Sequence, residues 1–109
     1  MAAERQALIA TADNITGHAS SLSGDPKVTI KQAKDNKPVA GLPVKFKTGG
    51  QGIEGCSAST NTEGAAQCYA SKLDPVFCAD ALISGYDAIF EGNEEYQPVK
   101  AHGKVTPGF

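Results

Sequence analysis

The sequence contains no tryptophan and a single methionine, and only 6% of its residues are aromatic. So few large rings in 109 residues argue against a deep binding cleft, and with it against paired carboxylates working as a glycosidase. No stretch of 18 residues is apolar throughout, so no membrane-spanning helix and no membrane insertion are expected. The opening, MAAERQALIATAD, lacks the basic start and long apolar core of a signal peptide. Either a leader has been removed or the segment belongs to a longer chain. Formal net charge is only -2, so nothing global draws the chain to nucleic acid or to an anionic membrane. Its three cysteines include no CxxC pair and have no neighbouring histidine, which is unlike a zinc or redox site. The glycines at 49, 50, 52 and 55 are not followed by Lys-Ser/Thr and a helix, so they form a flexible connection and not a phosphate cradle.

What is present points to short strands and frequent turns. The chain is 40% hydrophobic, with 12 Gly and 6 Pro, and its length fits one domain over 1–109 that buries about two thirds of the unfolded surface. Residues 7–12 read as a first strand and 13–25 as a loop, so 1–26 amounts to a strand and a long loop. Helix over 2–12 is open on propensity, although Thr11, Ile15 and Thr16 favour extension. Over 27–31, Val28 and Ile30 alternate with Lys27, Thr29 and Lys31; over 42–47, Leu42, Val44 and Phe46 alternate with Pro43, Lys45 and Lys47. Both patterns describe half-buried strands. Segments 56–60 and 66–70 flank a turn at 61–64, where Gly64 can supply a positive φ. Residues 76–84 read as a long central strand with Phe77, Ala79, Ala81 and Ile83 inward and Cys78, Asp80 and Leu82 outward. A turn over 85–92 with an apolar piece at 88–90, an acidic corner at 91–95 and a last strand over 96–105 complete about seven antiparallel strands in two sheets, an all-β sandwich.

Charge is unevenly spread. Six lysines face one acid between Lys27 and Lys47, and seven acids face Lys72 between Glu63 and Glu95. Solvated strand faces of opposite sign account for this more simply than a groove for a charged ligand.

Three stretches, VTIKQAKDNKPVAGLPVKF, STNTEGAAQCYAS and ADALISGYDAIFEGNEEYQPVKAHGKV, together resemble the bacterial immunoglobulin-like (Big-type) repeats of adhesins, surface-layer proteins, modular secreted enzymes and phage tail proteins. The resemblance implies an immunoglobulin-like β-sandwich. It also implies that the 42–47 strand lies beside the 76–84 strand, with Lys45 and Lys47 facing Asp80. Cysteine is uncommon in these repeats, and residues 1–26 match them only as a strand and a loop. Function does not follow from such a fold and has to be argued from a site.

Cys68 shares a strand face with Ala66 and Ala70, the face that the family turns inward, and Cys56 lies across the 61–64 turn from it. A Cys56–Cys68 disulfide or a buried reduced pair are the two alternatives; the first closes a short loop and leaves Cys78 as a thiol outside the bridge. Neither His18 nor His102 lies where it would activate Cys78, so no nucleophile is read. Asp87, Glu91, Asn93, Glu94 and Glu95 carry oxygens of the kind calcium takes, but without EF-hand spacing, so a solvated turn is expected and no metal or cofactor is assigned. The Asn14-Ile15-Thr16 triplet is a chance sequon in a bacterial setting.

These readings favour a non-enzymatic immunoglobulin-like module of an extracellular or cell-surface protein. It would act as a spacer or an adhesive unit between neighbouring domains, with protein or carbohydrate as partner. Loops 14–25, 48–55 and 85–95 are the expected contact surfaces. Two alternatives stand beside it: an accessory carbohydrate-binding domain of a secreted polysaccharide-acting enzyme, for which Tyr69, Tyr86 and Tyr96 are the available stacking rings, and a phage or virion decoration module.

Overall fold

A computed structural model describes residues 5–18, 21–22, 25–69 and 75–107. In chain order these form β1 (Leu8–Ala12), β2 (Ile15–His18), β3 (Ser21–Leu22), β4 (Lys27–Gln32), β5 (Pro43–Thr48), β6 (Glu54–Ser59), β7 (Ala65–Gln67), α1 (Pro75–Ser84), β8 (Tyr86–Phe90), β9 (Val99–Gly103) and β10 (Val105–Pro107). Ala70, the last residue of the strand expected over 66–70, and residues 2–4 of the alternative N-terminal helix lie outside the described residues.

The chain is mostly β, in three sheets with the orders β1-β4-β7, β10-β2-β3 and β6-β5-β8-β9. Alternation explains the principal strands. Val28 and Ile30 of β4, Val44 and Phe46 of β5, and Tyr86, Ala88 and Phe90 of β8 are buried at every second position. They belong to one hydrophobic cluster that also takes in Ala66, Cys68, Ala101 and Val105. The polar partners of these residues, such as Lys45 and Lys47, stay at the surface of the four-stranded sheet.

The structure corrects several expectations. Residues 76–84 are not a strand but most of helix α1, and the central position beside β5 belongs to β8, which pairs Lys45 with Ile89 and Thr48 with Tyr86. The burial pattern within α1 is helical: Phe77, Cys78 and Ala81 are buried, while Val76 and Ile83 are 64% and 85% exposed. Pro75 opens the helix at a position that needs no N–H donor, and Gly85 closes it. Gly85 has φ +75°, and its N–H donates to the Ala81 carbonyl at 2.6 Å. Cys78 is thus a core residue, 1% exposed, and not an outward one.

Two further corrections concern connectivity. Segments 56–60 and 66–70 are not two arms of a hairpin, because β6 pairs with β5 and β7 pairs with β4. The 61–64 turn instead carries the chain between two sheets, with Gly64 at φ +79° as its conformation requires. The stretch read as loop over 13–25 contains β2 and β3, and the strand expected over 96–105 breaks at Lys104 into β9 and β10. Since β10 pairs with β2 in parallel, the strands are neither confined to two sheets nor all antiparallel.

Candidate functional site

The sheets set two opposite ends. β8 runs from Tyr86 at the α1 end to Phe90, and β5 and β9 run antiparallel to it. The connection after β5, residues 49–53, therefore lies at the α1 end, together with the β1–β2 corner. Residues 33–42, 61–64 and 91–98 lie at the other. Of the loops expected as contact surfaces, the described residues of 14–25 and the segment 48–55 sit at the α1 end, and the part of 85–95 that is loop sits at the far one.

At the α1 end the backbone is tied down. The Gln51 N–H donates to Asp80 Oδ2 at 2.9 Å, and the Ile53 N–H donates to Thr48 Oγ1 at 2.9 Å. A hydrogen bond from the Thr48 hydroxyl and the Gln51 N–H hold the Asp80 carboxyl below its ordinary value, against a weaker opposing effect of burial. Asp80 therefore serves the helix and its loop; it does not face Lys45 or Lys47 as the resemblance implied. Beside it lies a shallow depression of about 280 Å³ lined by Gln51, Ile53, Val76, Ala79, Asp80 and Ile83.

Tyr86 is the deepest polar side chain at this end, with 0% exposure. Its hydroxyl donates to the Asp13 carbonyl and accepts from the Lys27 N–H at 3.3 Å, so β8 is joined to the corner after β1 and to the start of β4. Burial pushes the phenol above its ordinary pKa, consistent with a fixed neutral donor. The ring occupies the space over Gly103, where an added Cβ would come within 2.4 Å of its Cε1 and Cζ.

On the outer face of the four-stranded sheet, His102 Nδ1 lies 2.8 Å from Asp87 Oδ1, and Lys100 Nζ lies 3.6 Å from Asp87 Oδ2. Lys45 Nζ reaches Glu91 Oε1 at 2.6 Å, and Lys47 is 4.0 Å from Glu54. At the far end Asn93 Oδ1 accepts from the Glu95 and Tyr96 N–H groups at 2.8 and 2.7 Å. The five oxygen-bearing residues considered for calcium are thus dispersed: Asp87 faces a histidine and a lysine, Glu91 a lysine, and Asn93 its own turn, while Glu94 and Glu95 are exposed. Among the described residues no group of three or more His, Cys, Asp or Glu is placed to hold a metal ion. The Asp87–His102 pair escaped sequence reading because it depends on the β8–β9 register, and 85–92 read as a turn.

Cys56 and Cys68 form a disulfide with Cα atoms 6.1 Å apart. Because β6 and β7 belong to different sheets, the bridge joins those sheets and is not a rung within a hairpin. The Cys78 thiol is enclosed in the core on α1. Of the three tyrosines, Tyr86 and Tyr96 are buried and only Tyr69, at 60% exposure, presents a ring to solvent. Asn14 of the sequon accepts from the Lys104 N–H at 3.1 Å, fastening β10 to β2.

No family model, curated protein or solved structure matches the chain.

Proposed function

We propose that this chain is a non-enzymatic immunoglobulin-like module of a secreted or cell-surface protein, working as a spacer or adhesive unit between neighbouring domains. The orders β1-β4-β7 and β6-β5-β8-β9 correspond to the A-B-E and C′-C-F-G sheets of an immunoglobulin-like sandwich. In this reading α1 and the β10-β2-β3 sheet are additions at one end.

The observation that carries the proposal is where the backbone arrives and departs. Gln6 bridges Tyr96 at the far end, and β1 then runs toward the α1 end. The last strand, β10, leaves beside β2, beyond the end of β1. A module threaded from one end to the other adds its length to a chain, whereas one whose ends meet does not. Bridging the two sheets through Cys56 and Cys68 suits an oxidising compartment. Among the described residues no helix is long and apolar enough to cross a membrane. Burial of two of the three tyrosines leaves the carbohydrate-binding alternative a single ring to stack on a sugar.

Surface digestion of intact producing cells with an impermeant protease tests the proposal. The expected result is release of a non-reduced peptide pair joined through Cys56 and Cys68. Protection of the chain in intact cells, with both cysteines recovered as thiols from lysed ones, would overturn it.

A further inference from the structure

Neighbouring strands that are pulled from the same end peel apart one hydrogen bond at a time. Pulled from opposite ends they slide, and every bond between them is loaded at once. The first and last strands of this chain are placed for sliding. At the far end Gln6 and Tyr96 form a parallel bridge: the Gln6 N–H donates to the Glu95 carbonyl at 2.9 Å, and the Gln97 N–H donates to the Gln6 carbonyl at 2.9 Å. From there β1 runs beside β9. Past β1 the two paths pair again in parallel, as β2 and β10, with Val105, Thr106 and Pro107 set against Ile15, Thr16 and Gly17. The Ile15 N–H donates to the Lys104 carbonyl at 2.9 Å, and the Lys104 N–H donates to Asn14 Oδ1 at 3.1 Å. The arriving path is therefore joined to the departing one twice, once near each end of the molecule. In both joins the arriving member is held from its first residue and the departing member is drawn from its last, which are opposite ends of a parallel pair.

We infer, on the reading of this chain as a unit between neighbouring domains, that it is a load-bearing link. Tension between those neighbours enters through Gln6 and leaves through Pro107, and the two parallel joins carry it in shear. Neither terminal strand leaves the fold until a join gives way with all of its bonds together. The Tyr86 hydroxyl adds a side tie to the same path, since it donates to the carbonyl of Asp13, between β1 and β2. A same-end arrangement, such as β1 against β4 drawn from Leu8 and Gln32, opens in sequence and at a lower force. The Cys56–Cys68 bridge lies in β6 and β7, outside both joins, so it holds the sheets together without supplying this resistance. Resistance of this kind is kinetic: it follows the barrier to unfolding along the direction of pulling and not the equilibrium stability.

Single-molecule stretching of the whole oxidised chain in two geometries tests this. In the first, handles are attached at the two chain ends; in the second, at the N-terminal end and at a Lys34→Cys substitution, an exposed position in the turn after β4 at the far end. The second geometry peels β1 from β4. At one loading rate the chain-end geometry is expected to need at least about twice the force of the peeling one. Ile15→Pro removes the N–H that donates to Lys104, so it is expected to lower the chain-end force and leave the peeling force unchanged. Should that variant fail to fold, Asn14→Ala removes only an exposed acceptor and is expected to act in the same direction. A chain-end force no greater than the peeling force, or a variant that lowers both by the same fraction, would overturn the inference. Neither result depends on where the chain resides, which the surface digestion reports separately.

Discussion

The two ends of the molecule are held by different means. At the α1 end the contacts are non-local and buried: the Tyr86 hydroxyl reaches Asp13 and Lys27, its ring fills the space over Gly103, and Phe77 and Ala81 join the core. At the far end several turns are closed from within, beside the buried Tyr96 and the Thr60 hydroxyl, which donates to the Val39 carbonyl. Asn93 Oδ1 accepts from Glu95 and Tyr96, Asn61 Oδ1 accepts from Glu63 and Ala65, and Lys45 and Glu91 meet at the surface. A locally closed turn can change its sequence without disturbing the core, whereas a buried ring with no spare space cannot. The ring at the α1 end is therefore less tolerant of change than the self-closed turns at the far end.

The largest test of that contrast is Gly103→Ala. The new methyl group would stand 2.4 Å from the Tyr86 ring and 2.7 Å from the Asp13 carbonyl, so ring or backbone has to move. A loss of about 3 kcal/mol in denaturant unfolding is expected. A loss below about 0.5 kcal/mol would mean that the ring has room to shift.

Tyr86→Phe asks for less, since it keeps the ring and removes the hydroxyl. The Asp13 carbonyl then loses a buried donor, which costs about 1 to 2 kcal/mol. Combining it with Gly103→Ala sharpens the comparison, because residues in contact give non-additive losses. Strict additivity in the double variant would show that ring and glycine do not act as a unit.

The same contrast explains what was legible in the sequence. Over 27–31 and 42–47 one face is apolar and the other carries lysines, so alternation alone identified β4 and β5 and the buried residues Val28, Ile30, Val44 and Phe46. In α1 nearly every residue of PVFCADALIS is apolar, and such a run satisfies a period of two and a period of 3.6 equally well. The signals that separate them are its ends, Pro75 and Gly85. A strand over 76–84 leaves only a turn for the residues of β8 and hides the Asp87–His102 pair. The disulfide alternative for Cys56 and Cys68 does not need the hairpin that suggests it, because the 61–64 turn still brings β7 back beside β6, in the other sheet. No local pattern encodes which sheet a strand joins after a turn.

Glu91→Gln should have the smallest effect, at the far end. Glu91 is pulled below its ordinary value chiefly by the hydrogen bond from Lys45, and Lys45 is raised by the same contact. A lowered carboxylate stabilises the folded chain above its unfolded pKa and loses that contribution as pH falls through the folded one. The raised lysine contributes below its own unfolded pKa and loses its share as pH rises through the folded one. The pair therefore acts across the neutral range and fades at both extremes, so the difference in thermal midpoint between native chain and variant should be small at neutral pH and vanish in acid. Both side chains are exposed, and added salt should erase the difference as well. A Glu91→Gln loss that rivals Gly103→Ala, or one that persists in acid, would mean that the far end is anchored as firmly as the α1 end.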